Sequence, residues 1–398
     1  MFRGDLFEGD VIRQFESAFA EFVGAHDAVA VPSGRAGLRF IYQAMALDEG
    51  SEVICSAFGY PVVPHLTGSL GYEVKFADCE LVTLGMDPDE LRKTISDRTK
   101  AVLVTHLYGI PCRIREIAEI ARSAGALLIE DCAHCFGASV DGRKTGAWGS
   151  FAYFSFETSK PINTLGGGMV TTSDPRAAER LREAAAREPV KDFAWLFKRL
   201  LKTTFETTVT NPVPFNLGVY PALRFAGRKD RSTSRFASGY QPDEITMSGR
   251  MGRYTNYQAK LGLAQMKKAA APLARRNAHA RRVIDGLKDG LRFQTNDEPG
   301  VESNYMLLTA LSPRMEELSH KLLGLGIDTK HHYMRDCSGL NEGGPPFARA
   351  AQAEREVLHL PAYPELGEAQ IDRVIEAVKR ARSLLGTTEN IGQPSAAG

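Results

Sequence analysis

The chain has 398 residues, enough for about two or three domains, and its 43% hydrophobic and 24% charged residues mark a folded globular protein. Forty-nine basic and 48 acidic residues leave a formal net charge of +1, which excludes a general electrostatic pull towards nucleic acid or membrane. No apolar run approaches the roughly 18 residues of a membrane span, and the six cysteines (55, 79, 112, 132, 135 and 337) are scattered as reduced thiols would be.

The opening Met1-Phe2-Arg3-Gly4-Asp5 brings an acid early and no long apolar stretch, so it does not read as a signal peptide and a cytoplasmic protein is expected. Short apolar strands are predicted at 28–31, 52–55, 74–77, 101–105, 127–131, 151–156 and 169–172. Helical patterns lie between several of them; at 114–124, Ile114, Ile117, Ala118 and Ala121 recur at helical spacing. Strands alternating with helices predict an α/β fold with a mainly parallel sheet, in which ligands bind beyond the carboxyl ends of the strands.

Composition changes at 190–245. The basic amphipathic stretch Trp195-Leu196-Phe197-Lys198-Arg199-Leu200-Leu201-Lys202 runs into the proline-rich Asn211-Pro212-Val213-Pro214-Phe215, and an irregular, apolar excursion is predicted. Residues 258–268 and on to 287 read as helix, followed by a strand at 305–309, a helix at 315–325 and a closing helix at 368–385. The resulting organisation is a large domain at 1–250, a smaller C-terminal α/β domain at 251–386 and a tail at 387–398 expected to be disordered.

Lys160 is the residue that focuses the chemistry. It ends Phe154-Ser155-Phe156-Glu157-Thr158-Ser159-Lys160 and precedes Gly166-Gly167-Gly168, while the earlier strand at 127–131 ends in Glu130-Asp131. A lysine can form a Schiff base, a buried acid can hold a pyridine nitrogen protonated, and hydroxyls can hold a phosphate, which together suit pyridoxal phosphate. Asp131 taken alone reads better as a structural acid at a strand end, and Ser155 alone equally as a strand serine satisfied by backbone. Ser33-Gly34-Arg35 follows a strand and opens a helix, which makes an anion site from backbone N–H groups and the helix dipole. Tyr60 can lay its ring on a planar cofactor, with Phe58 as its competitor for that place. The run Asp131-Cys132-Ala133-His134-Cys135 matches no common zinc spacing, so no metal is expected; no dinucleotide fingerprint or P-loop occurs.

The ordered set resembles the DegT/DnrJ/EryC1/StrS family of pyridoxal-phosphate-dependent sugar aminotransferases, of fold type I in the aspartate-aminotransferase superfamily. It is carried by Phe15-Glu16-Ser17-Ala18-Phe19-Ala20-Glu21-Phe22, the Ser33-Gly34 turn, Thr99-Lys100-Ala101-Val102 and His106-Leu107-Tyr108-Gly109. It continues through Ile129-Glu130-Asp131-Cys132-Ala133-His134, Phe154-Ser155-Phe156, Lys160, Gly166-Gly167-Gly168, Gln258-Ala259-Lys260-Leu261-Gly262 and Leu358-His359-Leu360-Pro361-Ala362-Tyr363-Pro364. The resemblance implies a seven-stranded sheet, Lys160 as the Schiff-base lysine and Asp131 as the ring-nitrogen partner. It implies Tyr60 stacked on the ring, His134 beside the cofactor where the family has glutamine, and Ser33, Gly34, Arg35 and Ser155 at the phosphate. It brings Arg253 to the cofactor site and His331 and His332 to the substrate. Three departures stand out: Arg35 replaces a threonine, Met251 replaces an asparagine donated across the dimer interface, and 190–245 is longer and more apolar.

The function implied is transamination from L-glutamate to a keto-sugar, carried out by a homodimer. Family relatives that dehydrate instead have histidine in place of the lysine, and here the residue is Lys160. Two other readings remain: a cyclitol or lipid-linked ketone acceptor, with peripheral membrane contact through 193–225, and a non-catalytic regulatory protein that binds pyridoxal phosphate.

Overall fold

The computed structural model describes residues 4–219, 221, 252–329, 334–340 and 347–386. Its main sheet consists of β1 (Asp27–Val31), β2 (Glu52–Ser56), β3 (Glu73–Ala77), β4 (Thr99–Thr105), β5 (Leu127–Asp131), β6 (Phe151–Ser155) and β7 (Gly168–Thr172). In space the order is β1-β7-β6-β5-β4-β2-β3. Neighbours from β6 to β3 are parallel, whereas β7 is antiparallel to both β1 and β6. All seven expected strands are present, in a mainly parallel sheet.

Alternation along the strands sorts the core into two faces. Val29, Val53, Leu103, Ile129 and Tyr153 point to one side, against Leu38 and Ile41 of α2 (Gly34–Met45) and Leu181 of α4 (Pro175–Ala186). Ala30, Ala152 and Phe154 point to the other, against Phe15 and Phe19 of α1 (Val11–Val23). Further along that second face, Ile54, Val102 and Leu128 meet Ile114 and Ile117 of α3 (Ile114–Ser123). A fully buried Phe or Leu contributes about 1.5–3 kcal/mol, so coverage of both faces is what permits continuous apolar strands such as β2 and β4.

The expected irregular excursion differs from what forms. Phe193–Thr210 is an 18-residue helix, α5, capped by Asp192, whose carboxylate accepts the Trp195 N–H. Its Leu, Lys and Arg content favours helix, and Pro212 lies just beyond its end. The rest of that stretch beyond residue 221, like the 387–398 tail, lies outside the described residues.

The predicted helix from 258 to 287 is two helices, α6 (Asn256–Met266) and α7 (Ala270–Leu287). Pro272 is the reason: continuing one helix through it would lose the bond to residue 268 and press the ring on that carbonyl. A second sheet, β8 (Arg292–Phe293), β9 (Leu308–Leu311) and β10 (Val357–Leu360), is antiparallel. It packs on α7, α8 (Met315–Gly324) and α9 (Glu368–Leu385) through Val283, Leu318, Leu322, Ile371 and Val378. The strand expected at 305–309 starts late because Tyr305 has φ +46° and the Met306 N–H is taken by the Asn304 side chain at 2.8 Å.

Two ties lock the C-terminal third to the mouth of the large sheet. Arg335–Asp336 pairs with Phe58–Gly59, and the buried Asn304 amide donates to the carbonyls of His134 and Phe136.

Candidate active site

β5 ends in two acids that alternation sends to opposite faces. The Glu130 carboxylate accepts the N–H groups of Gly146, Trp148 and Gly149 at 2.7–2.8 Å and pairs with His106 Nε2 at 3.0 Å. His106 Nδ1 accepts the Cys112 N–H, which leaves the ring proton on Nε2, directed at Glu130. His106, Glu130 and Cys132 could together offer metal ligands, but these hydrogen bonds occupy the imidazole and the carboxylate.

Asp131 lies on the other face, in register with Thr105 and Tyr153 on the neighbouring strands, and is 5% exposed. Its Oδ1 accepts the Ala133 N–H at 2.9 Å. Burial pushes its carboxyl above the usual range, opposed by the Ala133 N–H, the Tyr153 hydroxyl and the positive charge of Lys160. The Tyr153 hydroxyl next to it is buried without a hydrogen bond of normal geometry. Burial, reinforced by the Asp131 charge, holds that phenol well above its ordinary range.

Ser33 caps α2 by accepting the Ala36 N–H at 3.1 Å, so the turn at Ser33-Gly34-Arg35 presents the start of a 12-residue helix. Gly34 sits against Ser155, where a Cβ would be 3.4 Å from the serine Cβ. A Cβ on Gly168 would lie 2.4 Å from the Phe154 carbonyl oxygen and 3.0 Å from the Gly34 nitrogen, so only glycine fits there. The phosphate-type turn, the β6 end and the β7 start therefore meet at backbone contact. Arg35 is exposed at the rim, and its charge opposes the upward shift that burial imposes on the Tyr60 phenol.

The loop from β6 to β7 carries Lys160, whose N–H turns back to the Glu157 carbonyl at 2.9 Å. Ser33, Gly34, Arg35, Tyr60, Asp131, His134, Ser155 and Lys160 all line one cavity of about 360 Å³. His134 is buried, its Nδ1 accepts the Tyr108 N–H at 3.2 Å, and its ring stacks on that of Tyr108. Tyr60 lines the cavity while Phe58 is fully buried in the core, which separates the two aromatics.

Arg253 is not brought to this cavity. Its guanidinium donates to the carbonyls of Glu188 and Ala186, at the end of α4. His331, His332 and Met251 lie outside the described residues. Thr105, Tyr153, Glu157, Ser159 and Met334 also line the cavity and were not singled out in the sequence. The two-residue period could have found Thr105 and Tyr153, which flank Asp131 in register. Nothing local marks Met334, which the 335–336 pairing carries in.

The residues present fit pyridoxal phosphate. The helix start with Gly34 and Ser155 suits a phosphate, a buried Asp131 suits a cationic ring nitrogen, and Lys160 suits covalent attachment.

The model of the DegT/DnrJ/EryC1/StrS aminotransferase family matches residues 2–379. GDP-perosamine synthase of Caulobacter vibrioides is 29% identical, over 93% of this chain and 90% of that protein. The spore coat polysaccharide biosynthesis protein SpsC of Bacillus subtilis is 28% identical, over 94% and 90%. The solved structure of DesV from S. venezuelae is 26% identical and superposes with a TM-score of 0.72, covering 96% of this chain and 91% of that one. The chain belongs to the DegT/DnrJ/EryC1/StrS aminotransferase family, and its fold is that of the fold type I transaminases.

Proposed function

We propose that this family member uses pyridoxal phosphate to move an amino group from L-glutamate to a keto-sugar, a keto-deoxysugar carried on a nucleotide. The observation that carries this reading is the meeting of Lys160, Asp131 and the Gly34–Ser155 turn in one cavity. The nucleotide-sugar acceptor is supported by the resemblance to GDP-perosamine synthase over nearly the whole chain.

When bound, pyridoxal phosphate supplies the carbonyl and electron sink that an amino-group exchange requires. The N–H groups at the start of α2, with Ser155 and Arg35, would hold its phosphate. Asp131 would hold a proton on the ring nitrogen, its carboxylate, which burial alone drives towards the neutral form, being kept ionised by that pairing. Lys160 would carry the covalent attachment, and its Nζ, when free, would serve as the base and acid that moves the substrate Cα proton. Tyr60 and His134 bound the cavity and would help to orient the cofactor there.

The chain works as a cytoplasmic homodimer with a large domain at 1–250 and a small one at 251–386. In this reading His331 and His332 face the sugar from the small domain. Arg253, bound within its own chain to α4, would reach a phosphate only in a rearranged or partner-built site.

The test is the visible absorption of the purified protein before and after L-glutamate. A band of lysine-bound cofactor that glutamate replaces with the pyridoxamine spectrum supports the reading; a band indifferent to glutamate refutes that donor. Absence of any band after adding pyridoxal phosphate refutes the cofactor. Lys160→Ala that still complements the loss of the gene fully would favour the non-catalytic reading.

A second reading concerns the acceptor: a lipid-linked or other apolar ketone, met at a membrane surface. It is favoured by α5, where Phe193, Phe197, Leu201 and Phe205 are 53–67% exposed beside Lys198 and Lys202. No helix among the described residues is long and apolar enough to cross a membrane. Co-sedimentation with anionic liposomes, lost in a Phe197→Ser/Leu201→Ser double variant, supports it. Absence of binding to such liposomes ends it.

A further inference from the structure

The turn that follows Lys160 is strained. Leu165, Gly166 and Gly167 have φ of +62°, +105° and +100°, three left-handed residues in succession, one of them with a side chain. Such a segment persists only where its surroundings over-determine it.

Here three successive carbonyls are each held by a side chain from far along the sequence. The Gln258 amide donates to the Thr164 carbonyl at 3.1 Å and to the Gly166 carbonyl at 2.8 Å. Between them, Arg199 Nε donates to the Leu165 carbonyl at 2.7 Å. The orientation of the Gln258 amide is itself set, because its oxygen accepts from Thr255 and from the buried Lys191 ammonium at 3.2 Å. Lys191 lies over the Trp195 ring of α5 at 4.3 Å.

Arg199 does more than close the turn. A terminal nitrogen of its guanidinium binds Glu157 at 2.7 Å, and Glu157 lines the cavity three residues before Lys160. The same guanidinium leaves no space at Gly166, where a Cβ would lie 2.7 Å from its nitrogen. One side chain on α5 therefore grips the lysine loop on both sides of Lys160.

We infer that Arg199 is a positioning residue: through Glu157 and the Leu165 carbonyl, α5 fixes the loop that presents Lys160 to the cavity. The consequence for catalysis rests on the assignment of Lys160 as the cofactor-holding lysine; the consequence for the loop does not. The bidentate grip needs the planar fork of arginine, since lysine has a single nitrogen to offer two acceptors.

Two measurements on the full chain test this, with Lys198→Ala as a control on the exposed side of α5. Hydrogen exchange on cofactor-free protein reads the loop directly. Arg199→Ala should speed exchange in 157–168 by roughly tenfold or more while the central strands keep their protection, and Lys198→Ala should leave the loop unchanged. Loaded protein reads the lysine: Arg199→Ala should shift the pH midpoint of the bound cofactor's visible band and lower kcat roughly tenfold to a hundredfold, with KM for the amino donor far less changed. Arg199→Lys should recover part of both effects. Glu157→Gln, which keeps an acceptor, should move them in the same direction by less, and it serves if Arg199→Ala does not fold. Unchanged exchange in 157–168 overturns the inference, as does exchange that rises evenly over the whole chain, which would mark a general stability role. A wild-type protein that takes up no cofactor would refute the assignment of Lys160 and leave the exchange result to decide the loop.

Discussion

Glu130 and Asp131 are adjacent, both buried, and end the same strand, yet they face different surroundings. Glu130 is saturated: three backbone N–H groups and His106 converge on it, and it ties the 146–149 turn to the sheet. Asp131 has one backbone donor, the Tyr153 phenol beside it and an open cavity in front. Equal burial thus serves two ends. The acid whose hydrogen bonds are complete holds the fold together, and the acid whose bonds are left incomplete is available to a ligand.

The contrast breaks if the two acids exchange roles under mutation. The largest effect is expected at Asp131→Asn, which should lower kcat by roughly 10²–10⁴-fold in steady-state transamination assays while melting near the wild-type temperature. Glu130→Gln should do the reverse. Turning amide hydrogens on backbone donors should cost about 3–5 kcal/mol in urea unfolding, with little loss of activity in the fraction that remains folded.

A pH titration sharpens the comparison. In cofactor-free protein the Asp131 carboxyl is raised above its usual 3.8. Between that value and its raised native one, the folded state binds more protons than the unfolded state, so this group's contribution to stability falls as pH rises. The stability of Asp131→Asn relative to wild type should therefore climb through that window and then level off; a flat difference would show that Asp131 is not destabilised in the empty site. The smallest effect is expected at Tyr153→Phe. Removing a hydroxyl that sits beside Asp131 without a hydrogen bond of normal geometry should leave cofactor-free stability within about 1 kcal/mol of wild type, by thermal melting.

The apolar helices α1 and α5 show the limits of reading such segments from sequence. Both present phenylalanines at helical spacing, yet Phe15 and Phe19 are fully buried whereas Phe197 and Phe205 are more than half exposed. Periodicity announces an apolar face in each case and does not say what covers it.

Local pattern by itself determined a good deal. Short β-branched and aromatic runs between helical patterns specified seven strands, because period and length are properties of a few consecutive residues. The chemical types of Asp131, Ser155 and Lys160, with glycines where no Cβ fits, marked the candidate site. Tertiary structure alone decided the rest. It seated Phe58 in the core, kept Arg253 at the end of α4 and brought Arg199 onto the lysine loop. Those outcomes depend on strand order and on contacts between distant segments, and such contacts leave no period or spacing along the chain from which they could be read.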